Sequence, residues 1–347
     1  MLAVMAVSGC ASLADAIVAP PGDGMLQGLV ATLDENAVGI THGAWLTPES
    51  VTIAYRVVPA GKRGAAYAFR PRATGASFDF HWVNAAPTPL STRGTVVYLS
   101  GWGESGISML PWAMLFAEQG YRGLAVDLRN TGNSSHAPIG FGPREAGDVA
   151  ALIAHLRSDG TLQDPVFLFG VSYGAATALL TEPALRGQLV GIVAMEPYAN
   201  AADAIRTMVP GVLDQPAHGA GKRAMSTWAR HRYDSAGVEQ AIAEIDQRFG
   251  LDLDAIDLHA PLAQSHTCTL LVHGARDTWI PVAASRGLAQ GAPQVRYTEL
   301  PAENHMSLPM RMDWLADPIA AWFGKAANGR CDALSLPSDP AQRLVEK

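Results

Sequence analysis

A serine flanked by two glycines is the residue of this chain best suited to covalent chemistry. It lies in the sequence GVSYG at 170–174, directly after the apolar strand-like run 166–169 and before a helix-like segment. A serine at such a sharp strand-to-helix turn exposes its hydroxyl oxygen above the sheet, and only small residues two positions before and after it let the strand and helix approach. The pattern therefore predicts a nucleophilic Ser172, with Gly170 and Gly174 as the two small residues.

This strand, turn and helix resemble the nucleophile turn of the α/β-hydrolase superfamily, and the resemblance covers roughly residues 50 to 326. The superfamily places an acid and then a histidine after the serine, each following a later strand. The resemblance implies that Asp277 is the acid, with Glu196 as the alternative, since some lipases place the acid after the strand that ends there. It implies that His305 is the base, because only this one of the 10 histidines follows both the serine and Asp277.

Nucleophilic attack on a carbonyl group also requires hydrogen-bond donors for the oxygen that becomes negative. The backbone N–H of Tyr173 is one candidate, because it begins the helix that follows the turn. The stretch 100–105 resembles the superfamily's His-Gly-X loop, with a serine in place of the histidine. The resemblance implies the N–H of Trp102 as the second donor, with that of Gly103 as the alternative. An ordinary glycine-rich turn that buries Trp102 is the other interpretation.

Two further features are interpreted as structural. The stretch 127–134 resembles the superfamily's turn after the fourth strand, with Asn130 where glycine is usual, and is expected to support the loop above the site. His273 ends a strand-like run and is expected to be a packed, hydrogen-bonded residue. Three further histidines downstream of the serine are expected to be solvated: His218, His231 and His259.

The elements that must position these residues alternate regularly along the middle of the chain. Continuous apolar runs, typical of buried parallel strands, occur at 95–100, 123–127, 166–171, 190–196, 269–273 and 295–300. Helix-like segments separate them at 107–119, 143–157, 173–185, 281–290 and 313–325. This alternation predicts an α/β fold with a mostly parallel, doubly wound sheet. Strand-like runs at 51–58, 66–69 and 77–83 predict an antiparallel opening to that sheet.

Residues 198–262 interrupt the alternation and are predicted to form an inserted helical cap. Apolar residues recur there at helical spacing, and Gly250 suits the end of the helix; the residues are Val238, Ile242, Ile245 and Phe249. Many members of the superfamily carry a cap after the sixth strand, so the resemblance places this insertion over Ser172. Met208, Met225 and Trp228 are therefore expected to line the substrate pocket, with packing of the cap alone as the other interpretation.

The composition is that of a globular protein with a large core, since 48% of the 347 residues are hydrophobic and 16% are charged. The net charge of -7, without a dense basic run, argues against nucleic acid as a partner. The three cysteines are too far apart, and too far from clustered histidines, for a zinc site, and we expect neither metal nor cofactor. The predicted organisation is a core at 49–197 and 263–326, a tether with an irregular entry into the fold at 11–48 and a C-terminal tail at 327–347.

The N-terminus resembles a bacterial lipoprotein signal. Residues 1–7 are apolar and lead into Val7-Ser8-Gly9-Cys10, which is similar to the lipobox whose cysteine receives diacylglycerol. The apolar run is short for a secretory signal, and no Lys or Arg precedes Arg56. Two explanations stay open: a start codon placed too late, or a plain apolar segment that happens to contain a cysteine. The resemblance implies a cell-envelope protein, lipid-anchored at Cys10 or periplasmic, that contacts the membrane only through the lipid.

The other two cysteines, Cys268 and Cys331, form an even pair once Cys10 is lipidated. Cys268 begins the strand whose far end carries Asp277, and Cys331 follows a helix expected to run back toward the same end of the sheet. An oxidising envelope would permit a disulfide between them. Two separate thiols are the other interpretation.

Together these features imply a serine hydrolase that cleaves small-molecule carboxylic esters with short to medium uncharged acyl groups. Thioesterase, amidase or peptidase, and perhydrolase activities use the same groups and stay open as alternatives. Relatives with an aspartate nucleophile are disfavoured, because the turn carries Ser172. The alternative of a different class is a non-catalytic envelope binding lipoprotein that keeps the fold.

Overall fold

The computed structural model describes residues 12–19, 22, 25–71, 76–214, 230 and 233–340. Its strands are β1 (Thr41–Leu46), β2 (Thr52–Val58), β3 (Gly61–Lys62), β4 (Ala66–Pro71), β5 (Ala76–His81), β6 (Thr88–Pro89), β7 (Thr95–Leu99), β8 (Arg122–Val126), β9 (Val166–Val171), β10 (Gly191–Met195), β11 (Cys268–Gly274) and β12 (Val295–Leu300). Its helices are α1 (Leu13–Val18), α2 (Met25–Leu29), α3 (Leu110–Ala117), α4 (Pro143–Ser158), α5 (Tyr173–Thr181), α6 (Ala201–Leu213), α7 (Ser235–Phe249), α8 (His259–Gln264), α9 (Ala283–Ala289) and α10 (Met312–Ala326). Short 3₁₀ turns lie at Gly106–Met109, Glu182–Leu185, Leu253–Ala255 and Leu308–Met310.

Eight strands form the central sheet, in the order β1-β2-β8-β7-β9-β10-β11-β12. The six strands from β8 to β12 in this order are parallel, while β2 is antiparallel to both of its neighbours. Every residue of β7, β9, β10 and β11 is buried, as expected for apolar strands covered on both faces. The predicted mostly parallel sheet is confirmed.

Helices pack on both faces of this sheet. On one face, Trp112 and Phe116 of α3 and Phe323 of α10 form an aromatic core with the ring of Phe169 from β9. On the other face, buried side chains of α4 and α5 pack against the opposite sides of the same strands. The sheet is therefore doubly wound, and its central strands are held from both sides.

The order of the strands reverses at the centre of the sheet, between β7 and β9. From β7 the chain crosses to β8, then returns past β7 to β9 and continues outward to β12. At such a reversal the loops at the carboxyl ends of the two central strands diverge and leave a crevice. The loop with Trp102 follows β7 and Ser172 follows β9, so both lie at this crevice.

Two of the predicted opening strands do not belong to the central sheet. β4 and β5 pair with each other as a separate antiparallel hairpin, in which Phe69 packs against Phe78. The hairpin lies against the core through Tyr67, whose hydroxyl donates a hydrogen bond to the carbonyl of Met310 at 2.7 Å. The prediction was wrong here because an alternating pattern shows that a strand has one buried face but does not identify its partner.

The predicted irregular tether over 11–48 is also wrong for the described residues. β1 is an edge strand of the central sheet, paired with β2, and α1 buries Leu13, Ala14 and Ile17. α1 starts with a capping box, in which the Ser12 hydroxyl accepts the N–H of Asp15 and the Asp15 carboxylate accepts the N–H of Ser12. Six residues are too few to show a helical period, and this helix is stabilised by packing against α7.

Between β10 and β11, the described residues are helical, as the spacing predicts. α7 begins after Asp234, whose side chain caps the first turn, and ends at Gly250 in the left-handed conformation, with φ +61°. Its buried residues are Val238, Ala241, Ile242 and Ile245. Met225 and Trp228 lie outside the described residues. Of the helices that the structure describes, none combines the length and the apolar character needed to cross a membrane.

The segment 327–340 packs against the core. The indole N–H groups of Trp314 and Trp322 each donate a hydrogen bond to a backbone carbonyl of this segment at 2.9 Å. The carboxylate of Asp339 forms an ion pair with the buried guanidinium of Arg311. Cys331 in this segment is joined by a disulfide to Cys268 at the start of β11, 63 residues earlier in sequence.

We expect this disulfide to stabilise the fold. Replacing Cys331 with Ser in a Cys10→Ser background should lower the free energy of unfolding by about 2–4 kcal/mol, because the unfolded chain loses the restraint of a long closed loop. Urea unfolding of the variant and of the reduced parent measures the effect, and the two should agree. Two thiols titrating in the denatured, unreduced Cys10→Ser protein would show that the bond does not form.

Candidate active site

Ser172 sits in a strained turn between β9 and α5. Its backbone angles are φ +51° and ψ -111°, which a residue with a Cβ rarely adopts. Hydrogen bonds on both sides hold the turn, since the Ser172 N–H donates to the Met195 carbonyl at 2.7 Å and the Ser172 carbonyl accepts the N–H of Ala176 at 3.1 Å. The turn is therefore anchored to β10 as well as to its own helix.

Gly170 and Gly174 are required by close backbone contacts around this turn. A Cβ built on Gly170 would lie 2.2 Å from the carbonyl oxygen of Gly174, so strand and helix touch. A Cβ on Gly174 would lie 2.1 Å from the carbonyl oxygen of Leu99, at the end of β7. Both positions agree with the small residues predicted from the sequence, and the second contact brings the loop after β7 beside Ser172.

The structure brings Ser172, His305 and Asp277 into one chain of hydrogen bonds. The distance from His305 Nε2 to Ser172 Oγ is 3.0 Å, and that from His305 Nδ1 to Asp277 Oδ2 is 2.7 Å. Because a charged carboxylate only accepts, Nδ1 carries the proton and Nε2 accepts from the serine hydroxyl. The imidazole is thus oriented as a base toward Ser172.

The Asp277 carboxylate is buried but well supplied with donors. Its Oδ1 accepts the N–H groups of Trp279 at 2.8 Å and Ile280 at 2.9 Å. Although burial opposes the charged form, hydrogen bonds from His273, His305 and the backbone hold the pKa of Asp277 below its ordinary value. The carboxylate therefore stays charged across the neutral range.

His273 supports this carboxylate, a role that the sequence analysis did not assign. As predicted, it is buried and hydrogen-bonded, with Nδ1 2.7 Å from the Ser285 hydroxyl and Nε2 2.9 Å from the Ile280 carbonyl. Since a carbonyl only accepts, Nε2 carries the proton, and it also lies 3.3 Å from Asp277 Oδ2. The signal available in the sequence was the four-residue spacing between His273 and Asp277.

Glu196, the alternative acid, lies beside the same imidazole but farther away. Its Oε2 is 3.6 Å from His305 Nδ1, and its side chain is fully buried. Among the described residues, Glu196, Asp277 and His305 are the set whose carboxylate oxygens and ring nitrogen come within 4.8 Å of one another. The short contact that orients the imidazole is made by Asp277, so the geometry favours Asp277 as the acid.

The loop after β7 is held as a tight turn next to Ser172. The Ser100 hydroxyl donates to the Glu104 carbonyl at 2.7 Å, and the N–H of Glu104 donates to the Gly101 carbonyl at 3.1 Å. Gly103 has φ +79°, and the indole N–H of Trp102 donates to the Ile17 carbonyl of α1 at 3.0 Å. The serine that replaces the expected histidine therefore stabilises the turn itself, and α1 holds its tryptophan.

The turn at 127–134 supports that loop, as its resemblance implied. The buried Asp127 carboxylate accepts the N–H of Gly106 at 2.7 Å on one oxygen and that of Asn133 at 2.9 Å on the other. Asn130 has φ +63°, a left-handed conformation that asparagine tolerates better than most residues, which explains its presence where glycine is usual. Its side chain donates to the Val18 carbonyl at the end of α1.

A largely apolar cavity opens above Ser172 and His305. Its lining includes Gly101, Trp102, Val171, Met208, Trp279, Met306, Pro309 and Met310, together with the acidic Glu104. Met208 from α6 is thus placed in the pocket, as predicted. Sequence reasoning missed Trp279, whose ring lies 5.2 Å from that of His305, and the residues after His305, although each is close in sequence to a predicted site residue.

We expect the backbone contact at Gly174 to be indispensable to the fold. Gly174→Ala should lower the free energy of unfolding by about 3 kcal/mol or more, because neither the Leu99 carbonyl nor the helix can move without disturbing two strands. Gly147→Ala on α4 is the matched control: no atom lies within 4 Å of its added Cβ, and it should raise stability by about 0.5–1 kcal/mol. Equal urea midpoints for the two variants would contradict this account.

Comparison with solved structures finds the same fold in several esterases. The esterase Pf2001 of Pyrococcus furiosus has a TM-score of 0.58 at 15% identity, over 91% of this chain and 100% of that one. The esterase EaEST of Exiguobacterium antarcticum has a TM-score of 0.52 at 18% identity, over 81% of this chain and 98% of that one. A thermophilic esterase of Thermogutta terrifontis has a TM-score of 0.50 at 17% identity, over 83% and 99%. At these identities the likeness establishes the fold alone.

The sequence itself carries the family assignment. No curated protein sequence matches the chain significantly. The sequence model described as the alpha/beta hydrolase family matches residues 96–317, a span that runs from β7 through the nucleophile turn and both later strands into α10. The chain belongs to the alpha/beta hydrolase family.

Proposed function

We propose that this protein is a serine hydrolase that cleaves carboxylic esters. The observation that carries the proposal is the hydrogen-bonded chain from Ser172 through His305 to Asp277, at the mouth of an apolar cavity. Membership of the alpha/beta hydrolase family and the shared fold of several esterases support it.

In the proposed reaction, Ser172 Oγ attacks the ester carbonyl carbon while His305 Nε2 takes the hydroxyl proton. Asp277 accepts the Nδ1–H of His305, which keeps the ring in the required tautomer and stabilises the imidazolium that forms. The imidazolium then protonates the departing alcohol as the carbon–oxygen bond breaks. Water, deprotonated by the same histidine, attacks the acyl-enzyme and releases the acid and Ser172.

Backbone amides are proposed to hold the negative oxygen of the tetrahedral intermediate. The N–H of Tyr173 is favoured because it begins α5 directly after Ser172, at the positive end of the helix. The N–H of Trp102 is favoured because its loop is held beside Ser172 by the Gly174 contact and by the indole bond to α1. Gly103, in a left-handed conformation, follows it in the same turn.

Lipid anchoring at Cys10 is proposed as well, although that residue lies outside the described part of the chain. Cys10 precedes the capping residue Ser12 by two positions, a length of chain that spans at most about 7 Å. α1 is tied to α7, since Ser12 donates to Glu244 at 3.1 Å and Arg248 pairs with Asp15 at 2.7 Å. A lipid at Cys10 would therefore hold the side of the protein with α1 and α7 close to the membrane.

The proposed nucleophile and base are tested by substitution and by covalent labelling. Ser172→Ala and His305→Ala should each lower kcat on an ester by about 10⁴-fold, and the double variant by no more, because the two residues act as a unit. A fluorophosphonate probe should label the parent protein and leave Ser172→Ala unlabelled.

Matched controls are available on the surface. Ser158→Ala, at the exposed end of α4, and His259→Ala, which removes an exposed pair with Asp257, should keep parental activity and labelling. A folded parent protein that neither hydrolyses esters, thioesters or amides nor reacts with the probe would favour a non-catalytic binding protein.

The apolar cavity predicts the choice of acyl group. Each buried CH₂ contributes about 0.8 kcal/mol, so kcat/KM should rise about fourfold per carbon over short uncharged acyl chains and then fall once the pocket is full. Met208→Ala should move the optimum to longer chains, whereas Thr207→Ala, at a half-buried neighbour on α6 that is not part of the cavity lining, should not. A preference for charged acyl groups would contradict the apolar pocket.

A further inference from the structure

A second carboxyl group is buried at the site without a hydrogen-bond partner. Glu196 follows β10 with φ +54°, and its own N–H donates to the Val272 carbonyl at 2.8 Å. Neither Oε1 nor Oε2 makes a hydrogen bond with any residue that the structure describes. Leaving a buried charge in this state would be costly, so the group requires an explanation.

Glu196 and Asp277 differ in the number of hydrogen-bond donors around them, and this difference favours a charged Asp277 beside a neutral Glu196. Asp277 accepts two backbone N–H groups and the protonated nitrogen of His305, whereas Glu196 Oε2 lies 3.6 Å from that same nitrogen of His305. The other carboxylates that face Glu196 are Asp277 and Glu303. Two adjacent buried carboxylates beside one imidazole repel each other, which favours a proton on one of them.

The proton belongs on Glu196. Burial first, and then the charge of Asp277, raise the pKa of Glu196 well above its ordinary value; the backbone of Gly274 opposes this rise, and the charge of Glu303 adds a smaller increase. The pKa of Asp277 is displaced in the other direction. Two carboxyl groups, one with a raised pKa and one with a lowered pKa, thus lie beside the imidazole ring of His305.

We propose that Glu196 is a proton-bearing second carboxyl of the active site, neutral while Asp277 is charged and able to replace it as the partner of His305 when Asp277 is removed. The proposal rests on the hydrolase function proposed above. Glu196 acts through His305 and is a positioning residue. When Asp277 is absent, the repulsion from its charge is gone, so Glu196 gives its proton to solvent at a lower pH than in the parent protein, and its carboxylate then accepts the Nδ1–H of His305.

A double-mutant cycle of Glu196→Gln and Asp277→Ala tests the replacement. Because glutamine matches the shape and neutrality of the protonated acid, Glu196→Gln should lower kcat/KM only about threefold and leave the pKa of the acid limb of its pH profile in place. Asp277→Ala should lower kcat/KM about 10²-fold, and its activity should rise with pH as Glu196 ionises. The double variant should lower kcat/KM about 10⁴-fold and show no such rise.

Asp277→Asn provides a second background, because its side-chain oxygen can still accept the N–H groups of Trp279 and Ile280 if Asp277→Ala fails to fold. The proposal is overturned if the double variant is as active as the single Asp277 variant. It is also overturned if Glu196→Gln lowers the acid-limb pKa by about one unit or more, since that would mean that Glu196 is charged in the parent protein.

A measurement without turnover separates this proposal from the proposed function. With ¹³C-carboxyl-labelled glutamate, the resonance missing from Glu196→Gln identifies Glu196. At neutral pH its shift should be that of a protonated acid in the parent protein and in Ser172→Ala, and in Asp277→Ala it should change to that of a carboxylate at a lower pH than in the parent. A carboxylate shift in the parent would overturn the proposal even in an inactive protein, whereas inactivity with a protonated Glu196 would count against the hydrolase function alone.

Discussion

The strained backbone of Ser172 is the constraint on which the rest of the site depends. A non-glycine residue at φ +51° costs about 1–3 kcal/mol, and it persists here because the surrounding contacts leave no alternative. Gly170 brings strand and helix together, and Gly174 brings both against the end of β7. The same contact that holds the serine therefore places the Trp102 loop beside it, so the positions of the proposed nucleophile and of the proposed oxyanion loop depend on the same backbone contact.

The cluster of buried carboxyl groups around His305 follows from the parallel sheet. Glu196, Asp277 and His305 come after the neighbouring strands β10, β11 and β12, whose carboxyl ends meet at one edge. Backbone N–H groups of the loop after Asp277, together with His273, stabilise the negative charge of the Asp277 carboxylate. A third carboxylate, Glu303, is paired with the buried Arg311 and accepts the Ser307 hydroxyl, so its charge is balanced outside the His305 contact.

The N-terminal helix links the periphery of the molecule to the site. The Ile17 carbonyl of α1 accepts the Trp102 indole N–H, and Val18 accepts from Asn130 in the turn that supports the same loop. The other side of α1 packs against α7 of the insertion. Any attachment at Cys10 would therefore reach the proposed oxyanion loop through one short, well-packed helix.

The sequence alone determined the features that depend on local geometry. Three features could be predicted: the glycines around Ser172, the order of Asp277 and His305, and the helical spacing of the apolar residues in α7. Each depends on residues that are neighbours in sequence or on a regular period of apolar residues. Only the tertiary structure distinguishes Asp277 from Glu196 as the closer partner of His305, since both follow apolar strands and their distances to His305 differ by less than 1 Å. It also decided that α1 and β1 are part of the fold, because their partners lie far away in sequence: Trp102 is 85 residues from Ile17, and Glu244 is 232 residues from Ser12. Contacts of that kind arise from the packing of complementary surfaces, which no local pattern specifies.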